Sequence, residues 1–325
     1  IMPIYVGREE SLKLIADLPK GGKKYIVVMG QKDGSEENPF STIQAGINNA
    51  QEGDTVLVGP GIYTGEGNYN IYFNGKAVTL RSIEGPDSTI IDCERGSGRR
   101  GLVFEAHGSY GNVSESTVIE GLTIRNGYFS DGTDGGGIYI NGASPTFNNC
   151  IIRDNEVYHY AHNSHPYGGG IYITNSNSIF TNCSIISNKT NGRVHSSGSE
   201  DTFSHGGGIY ISGSSSITMD ECLISENWSY GNDSYHADGS RAYMRGGGIY
   251  LESGTLTLTN SELSNNLNSG DGQELTYEGA GLYVAGGTAN FANTTVANNV
   301  GAQGIYRAGG EVNVISSIIW GNSND

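Results

Sequence analysis

The sequence predicts an all-β protein, a right-handed parallel β-helix wound as a single-stranded solenoid, and three observations predict it. The phrase Gly-Gly-Gly-Ile-Tyr occupies residues 135–139, 168–172, 206–210 and 246–250, then decays to Gly-Ala-Gly-Leu-Tyr at 279–283 and Gln-Gly-Ile-Tyr at 303–306. From each of these tyrosines a small side chain follows 11 residues on, or 12 in the third repeat: Cys150, Cys183, Cys222, Ser261, Thr294 and Ser317. Five residues later an asparagine always stands, at Asn155, Asn188, Asn227, Asn266, Asn299 and Asn322, and Gly121 with Asn126 reads as the same pair one turn earlier. Between these marks, runs such as Ser178-Ile179-Phe180-Thr181 alternate polar and apolar residues, the period of strands. A fixed offset carried through seven turns is what a stacked array needs.

Taken in order, residues 1–24 form a lead-in, with Ser11 to Asp17 as a short helix, and the helical array runs over 25–325. Its first strand is Tyr25-Ile26-Val27-Val28-Met29. Residues 38–53 form a cap: Phe40, Ile43, Ile47 and Ala50 share a helical face, Ser41 is the expected N-cap and Gly53 the stop. An array needs such a lid, because its first coil otherwise exposes strand edges and core.

The asparagines are expected to form a side-chain ladder at a tight, left-handed turn. Parallel Cβ atoms about 4.8 Å apart lie outside the disulfide range, so Cys150, Cys183 and Cys222 are expected to stack as buried thiols. The repeated tyrosines are expected to stack likewise. From asparagine to the next tyrosine the spacing runs 13, 17, 22, 23, 17 and 7 residues, so all extra length sits at one corner. Long-loop coils occupy 121–283, and 304–325 reads as a coil without a cap, cut from a longer chain or covered by another subunit.

The formal charge of −16, with only 18 Lys and Arg, argues against nucleic acid or anionic lipid as partner. No run of 18 apolar residues offers a membrane span. The chain begins at Ile1, which is compatible with a removed signal peptide.

The run FSTIQAGINNAQEGDTVLVGPGIY at 40–63, followed by Ala77-Val78-Thr79-Leu80 and Ser88-Thr89-Ile90-Ile91-Asp92, resembles the start of secreted β-helix proteins of the pectate-lyase-like superfamily. The Gly-Gly-Gly-Ile-Tyr coils ending in Ser317-Ile318-Ile319-Trp320-Gly321-Asn322 are similar to polymorphic outer-membrane-protein and choice-of-anchor repeats. The resemblance spans the chain from about residue 25 and implies secretion and the fold. It brings no catalytic residue, since the Gly-x-x-Asp-Phe-Ile motif of pectinesterases and the polygalacturonase signatures are absent.

Candidate site residues cluster in the corner segments. Tyr158, His159, Tyr160, His165, Tyr167, His195, His205, Trp228, Tyr230 and Tyr235 combine aromatic rings with imidazoles, a set that suits sugar rings. For catalysis, His162, His236 or Tyr243 would serve as base, with Arg241 or Arg245 as the cation that stabilises an enolate. His159, His162 and His165 do not make a zinc site, because a loop enforces no geometry on that spacing. No cofactor is expected; calcium candidates are Asp131, Asp134, Asp154 and Glu156. The dense basic cluster of Arg81, Arg95, Arg99 and Arg100 reads as charges on a solvated turn.

These features lead to the expectation of a secreted or surface-displayed adhesion or scaffold protein that contacts polysaccharide or a cell-surface partner through one flank and self-associates end to end. The alternative is a polysaccharide lyase or glycoside hydrolase using the same flank.

Overall fold

The computed structural model describes residues 25–28, 40–105, 117–130, 134–160, 165–193, 201–232, 241–272 and 274–323. The helix expected between Ser11 and Asp17 lies outside them. The described chain is the expected right-handed parallel β-helix, with three long sheets of ten, nine and eight strands and every strand pair parallel. The repeat phrases lie in register: Ile138, Ile171, Ile209, Ile249, Leu282 and Ile305 pair rung by rung, and so do the tyrosines that follow them. In each coil the tyrosine strand is followed by a strand of the ten-stranded sheet and then by a three-residue strand of the nine-stranded sheet.

Alternation then decides what is inside. Columns such as Ile140, Ile173, Ile211, Leu251 and Val284, or Ile152, Ile185, Ile224, Leu263 and Val296, are fully or almost fully buried. Phe147 and Phe180 stack at 4.8 Å between neighbouring coils, and Phe73 on Phe104 at 4.7 Å. Each such side chain buried contributes about 1.5–3 kcal/mol, and the stacking geometry adds to it.

A helix of seven residues, Ile43–Asn49, covers the N-terminal coil with Ile43 and Ile47 in the core. Its N-cap is Thr42, whose hydroxyl accepts from the Ala45 N–H, one residue beyond the expected Ser41. It ends at Ala50, before the expected stop. Lys76 Nζ donates to the carbonyls of Ile47, Asn48 and Ala50, satisfying the acceptors that a helix C-terminus leaves open.

The asparagine ladder is present and saturated. Asn188 Nδ2 donates to Asn227 Oδ1 in the next coil at 3.0 Å and to the Ile152 carbonyl in the preceding one at 2.9 Å, while its N–H donates to the same Asn227 Oδ1. The pattern repeats along the ladder from Asn155 to Asn322, and the four inner amides, Asn188, Asn227, Asn266 and Asn299, spend both donors and fill their oxygens twice. Two details differ from the sequence reading. Left-handed backbone belongs to the residue before each ladder asparagine, at Asp154, Ser187, Glu226, Asn265 and Asn298, and again before each Cys, Ser or Thr mark. Asn126 is not a rung: it is itself left-handed, and Gly127 stands in the ladder position, donating its N–H to Asn155 Oδ1.

Cys150, Cys183 and Cys222 are free and buried. Each Sγ donates to the carbonyl two residues earlier, as the Ser261 hydroxyl does in the next coil. The position therefore wants a small donor, and a thiol or a hydroxyl serves. The thiol of Cys183 is raised by its hydrogen-bonded neighbour Cys150 and by burial, which keeps it neutral.

The corner segments are not loops at their bases. After the ladder asparagine the chain continues outward as a strand, and Tyr128–Ser130, Glu156–Tyr160, Lys189–Arg193, Trp228–Asn232 and Leu267–Asp271 form a five-stranded sheet. The return arms Thr202–His205, Ala242–Arg245 and Leu275–Glu278 form a three-stranded sheet. The two sheets lie face to face as a thin fin. Between them sit Thr190, Gly192, Ser229, Gly231 and Asn268 from one side and Thr202, Ser204, Ala242 and Met244 from the other. A Cβ on Gly231 would fall 2.4 Å from Met244 Sδ, and Ser204 Oγ donates to the Tyr230 carbonyl.

The neck of the fin explains the glycine phrase. Gly206 has φ +66°; a Cβ on Gly207 would meet the Gly247 carbonyl at 2.5 Å, and one on Gly208 the Asn227 amide carbon at 2.9 Å. Outgoing and returning backbone thus close on the ladder with no space for a side chain.

Candidate functional site

The fin has two outer faces, and alternation along the strands assigns the candidates between them. On the five-stranded sheet, register aligns Tyr128, Glu156, Lys189, Trp228 and Leu267 as one outward column. Ser130, Tyr158, Asn191, Tyr230 and Ser269 form a second, and Tyr160, Arg193, Asn232 and Asp271 a third. The candidates Tyr158, Tyr160, Trp228 and Tyr230 therefore meet on one surface. Trp228 Nε1 donates to Ser269 Oγ at 2.8 Å, the Tyr230 hydroxyl donates to Asp271 at 2.6 Å, and the two rings meet edge to face at 5.2 Å. The ammonium of Lys189 stands 3.9 Å above the Trp228 ring and 4.5 Å from that of Tyr230. Partial burial draws the Lys189 pKa below the usual lysine value.

On the three-stranded face, Phe203 stacks on Tyr243 at 4.9 Å, His165 packs against Phe203, and His165 Nδ1 lies 2.9 Å from the Tyr167 hydroxyl. Tyr167, His205, Arg245 and Glu278 follow one another in register just before the glycine phrases. They pack against the tyrosine ladder, in which Tyr139, Tyr172, Tyr210, Tyr250, Tyr283 and Tyr306 stack at 5.0–5.5 Å. Burial, with Asp134 and Glu252 nearby, pushes the Tyr167 phenol up to about 12. His205 lies 4.1 Å above Tyr250, 7% exposed, and its Nε2 has no partner among the described residues. Burial holds its pKa well below the histidine range, with Arg245 and His165 adding to the effect.

The remaining candidates separate. His159 sits in the fin's interior column, where its neighbours carry glycine, and its Nδ1 accepts from the His165 N–H. Arg245 pairs with Glu278 at 2.7 Å and Arg241 approaches Glu274 at 4.0 Å, so both guanidiniums face carboxylates. Asp154 is paired with Arg153, and Glu156 with Arg95 and Asn191. The Asp134 carbonyl accepts from Arg100. Among the described residues no three His, Cys, Asp or Glu side chains converge as a metal site. His162, His195, Tyr235, His236 and Asp131 lie outside the described residues. Of the basic cluster, Arg81 faces Glu120, Arg95 faces Glu156 and Arg99 faces Glu94, whereas Arg100 departs from the expected solvated turn: its guanidinium lies 3.7 Å over the Phe129 ring and donates to the Asp134 and Gly135 carbonyls.

Sequence reasoning missed Lys189 and Arg193, although Lys189-Thr190-Asn191-Gly192-Arg193 carries a two-residue alternation that reads as a strand once its neighbours are aligned.

The family described as "right handed beta helix region" matches residues 61–231 and 170–325. Among solved structures, the pectate lyase Pel9A aligns with a TM-score of 0.54 at 16% identity, over 93% of this chain and 71% of that one. The pectin methylesterase PemA from Erwinia chrysanthemi aligns with a TM-score of 0.41 at 15% identity, over 88% and 81%. No curated protein sequence matches. No helix among the described residues is long and apolar enough to cross a membrane.

Proposed function

The chain belongs to the right-handed β-helix family, and from that premise we propose that it is an extracellular or surface-displayed binding scaffold whose fin offers its five-stranded face to polysaccharide. The observation that carries this reading is the register that gathers Tyr158, Trp228 and Tyr230 on one outward surface. Aromatic rings cover the apolar C–H faces of pyranoses, and the phenol and amide groups beside them exchange hydrogen bonds with sugar hydroxyls. A sheet braced by two packed layers holds these groups in place before the ligand arrives, which limits the ordering cost of binding.

Calorimetric titration against a panel of neutral and acidic polysaccharides tests the proposal. Binding is expected for the intact protein, with affinity at least about tenfold lower in the Trp228→Ala, Tyr230→Ala double variant. Unchanged affinity in that variant would remove this face from the function. The same mixtures are read for unsaturated products and new reducing ends, and either signal would replace the scaffold reading with the lyase or hydrolase one.

A further inference from the structure

Seven arginines of the described chain, Arg81, Arg95, Arg99, Arg125, Arg153, Arg241 and Arg245, face a carboxylate. The side chains of Lys76, Arg100 and Arg307 donate to backbone carbonyls. Lys189 and Arg193 have neither kind of partner among the described residues. In a chain of net charge −16 that is an unusual economy, since acidic groups abound.

The two cations are placed together by the fold. They lie four residues apart on one strand, so they project from the same side, about 13 Å apart at the usual strand rise. Asn191 stands between them, and the neighbouring rungs carry Tyr158 on one side and Trp228 and Tyr230 on the other. Lys189 rests on aromatic faces, and Arg193 approaches the phenols of Tyr230 and Tyr158. Of the nearest acids, Glu156 stands beside Lys189 on the adjoining rung but its carboxylate bonds Arg95 and Asn191, and Asp271 accepts from Tyr230. Aromatic support orients a cation without neutralising it, so its charge remains available to an incoming anion.

We propose that the strand Lys189–Arg193 is an anion-reading lane, which selects saccharide chains bearing sulfate or carboxylate groups over neutral ones. This rests on the polysaccharide reading above and adds the class of ligand to it. Lys189 and Arg193 take the anionic groups, while Tyr158, Trp228 and Tyr230 take the rings between them.

Three probes of one backbone test the lane: dextran, carboxymethyl dextran and dextran sulfate, titrated at low and at physiological salt. The expected result is binding of at least one charged dextran, weakened by salt, and no binding of dextran at the same concentration. Which charged form binds more tightly identifies the anion. Lys189→Gln with Arg193→Gln is expected to weaken that binding about tenfold or more, whereas Arg81→Gln with Arg307→Gln, which removes as much charge elsewhere, leaves it unchanged. Arg193→Gln alone, at an exposed position, keeps the test valid if the double variant folds poorly. Equal binding of all three dextrans, or equal losses in the two double variants, would overturn the lane while leaving the aromatic face in place. Failure of both charged dextrans to bind would also overturn it, whatever the polysaccharide panel shows.

Discussion

Asn227 shows how one residue type can fix a fold. Its oxygen accepts from the backbone and the side chain of Asn188, and its amide donates to the Ile185 carbonyl and to Asn266. Asn227→Ala would leave several buried groups unpaired at once and is expected to cost about 3 kcal/mol or more in urea denaturation. A loss below about 1 kcal/mol would mean that water replaces the rung. His205 makes a second prediction. Its native pKa is depressed by burial and by Arg245 and His165. Below the unfolded value of about 6.5, the unfolded chain binds a proton that the native one refuses, so stability falls as pH falls. The groups facing His205 are Tyr167, Phe203, Tyr250 and Arg245, and Arg245 is paired with Glu278. His205→Phe is expected to lose less stability than the parent between pH 7.5 and 5. Parallel losses in the two proteins would place the acid sensitivity elsewhere.

At the scale of the element, the fin and the frame are separable. The last coil already closes from Asn299 to Gly304 without a fin, and Val300 pairs with Leu267 where the outermost arm begins. Replacing residues 267–280 by the four residues 300–303 is expected to keep the β-sheet circular dichroism and a cooperative transition. It should loosen the neighbouring arm, which loses the Trp228 bond to Ser269 and the Tyr230 bond to Asp271. Collapse of the β signal would show that the fin supports the frame. The frame was legible in the sequence because stacking repeats identity: Ile over Ile, Tyr over Tyr, Asn over Asn at constant offsets. The fin was not. Its interior is thin, and beside Met244 and Val157 it is lined by Thr190, Gly192, Ser229 and Gly231; strands made largely of such residues read as polar loops. Asn126 misled for a related reason: left-handed corners also favour asparagine, so type alone did not separate the corner from the rung beside it.

Across the whole molecule, three sheets share one continuous core, and the fin stands on one flank with two unlike surfaces. The three-stranded surface packs onto the tyrosine ladder, where Tyr210, Tyr250 and Tyr283 are buried, and the five-stranded surface faces away from it. The candidates drawn from the sequence as one group therefore divide between a surface that braces and a surface that is open. At the far end, Val314, Ile315, Ile318, Ile319 and Trp320 of the last described coil are exposed.

The glycine neck has an evolutionary consequence. Because the glycines of each phrase, such as Gly207 and Gly208, close the coil against the ladder at the base of the arm, the backbone register of the coils is set within the frame itself. A gene duplicating one such unit would add one more line to the displayed surface and leave the hydrogen-bonding of its neighbours intact. Breadth of display and diversity of its lettering are thus free to change independently of the spine that bears them.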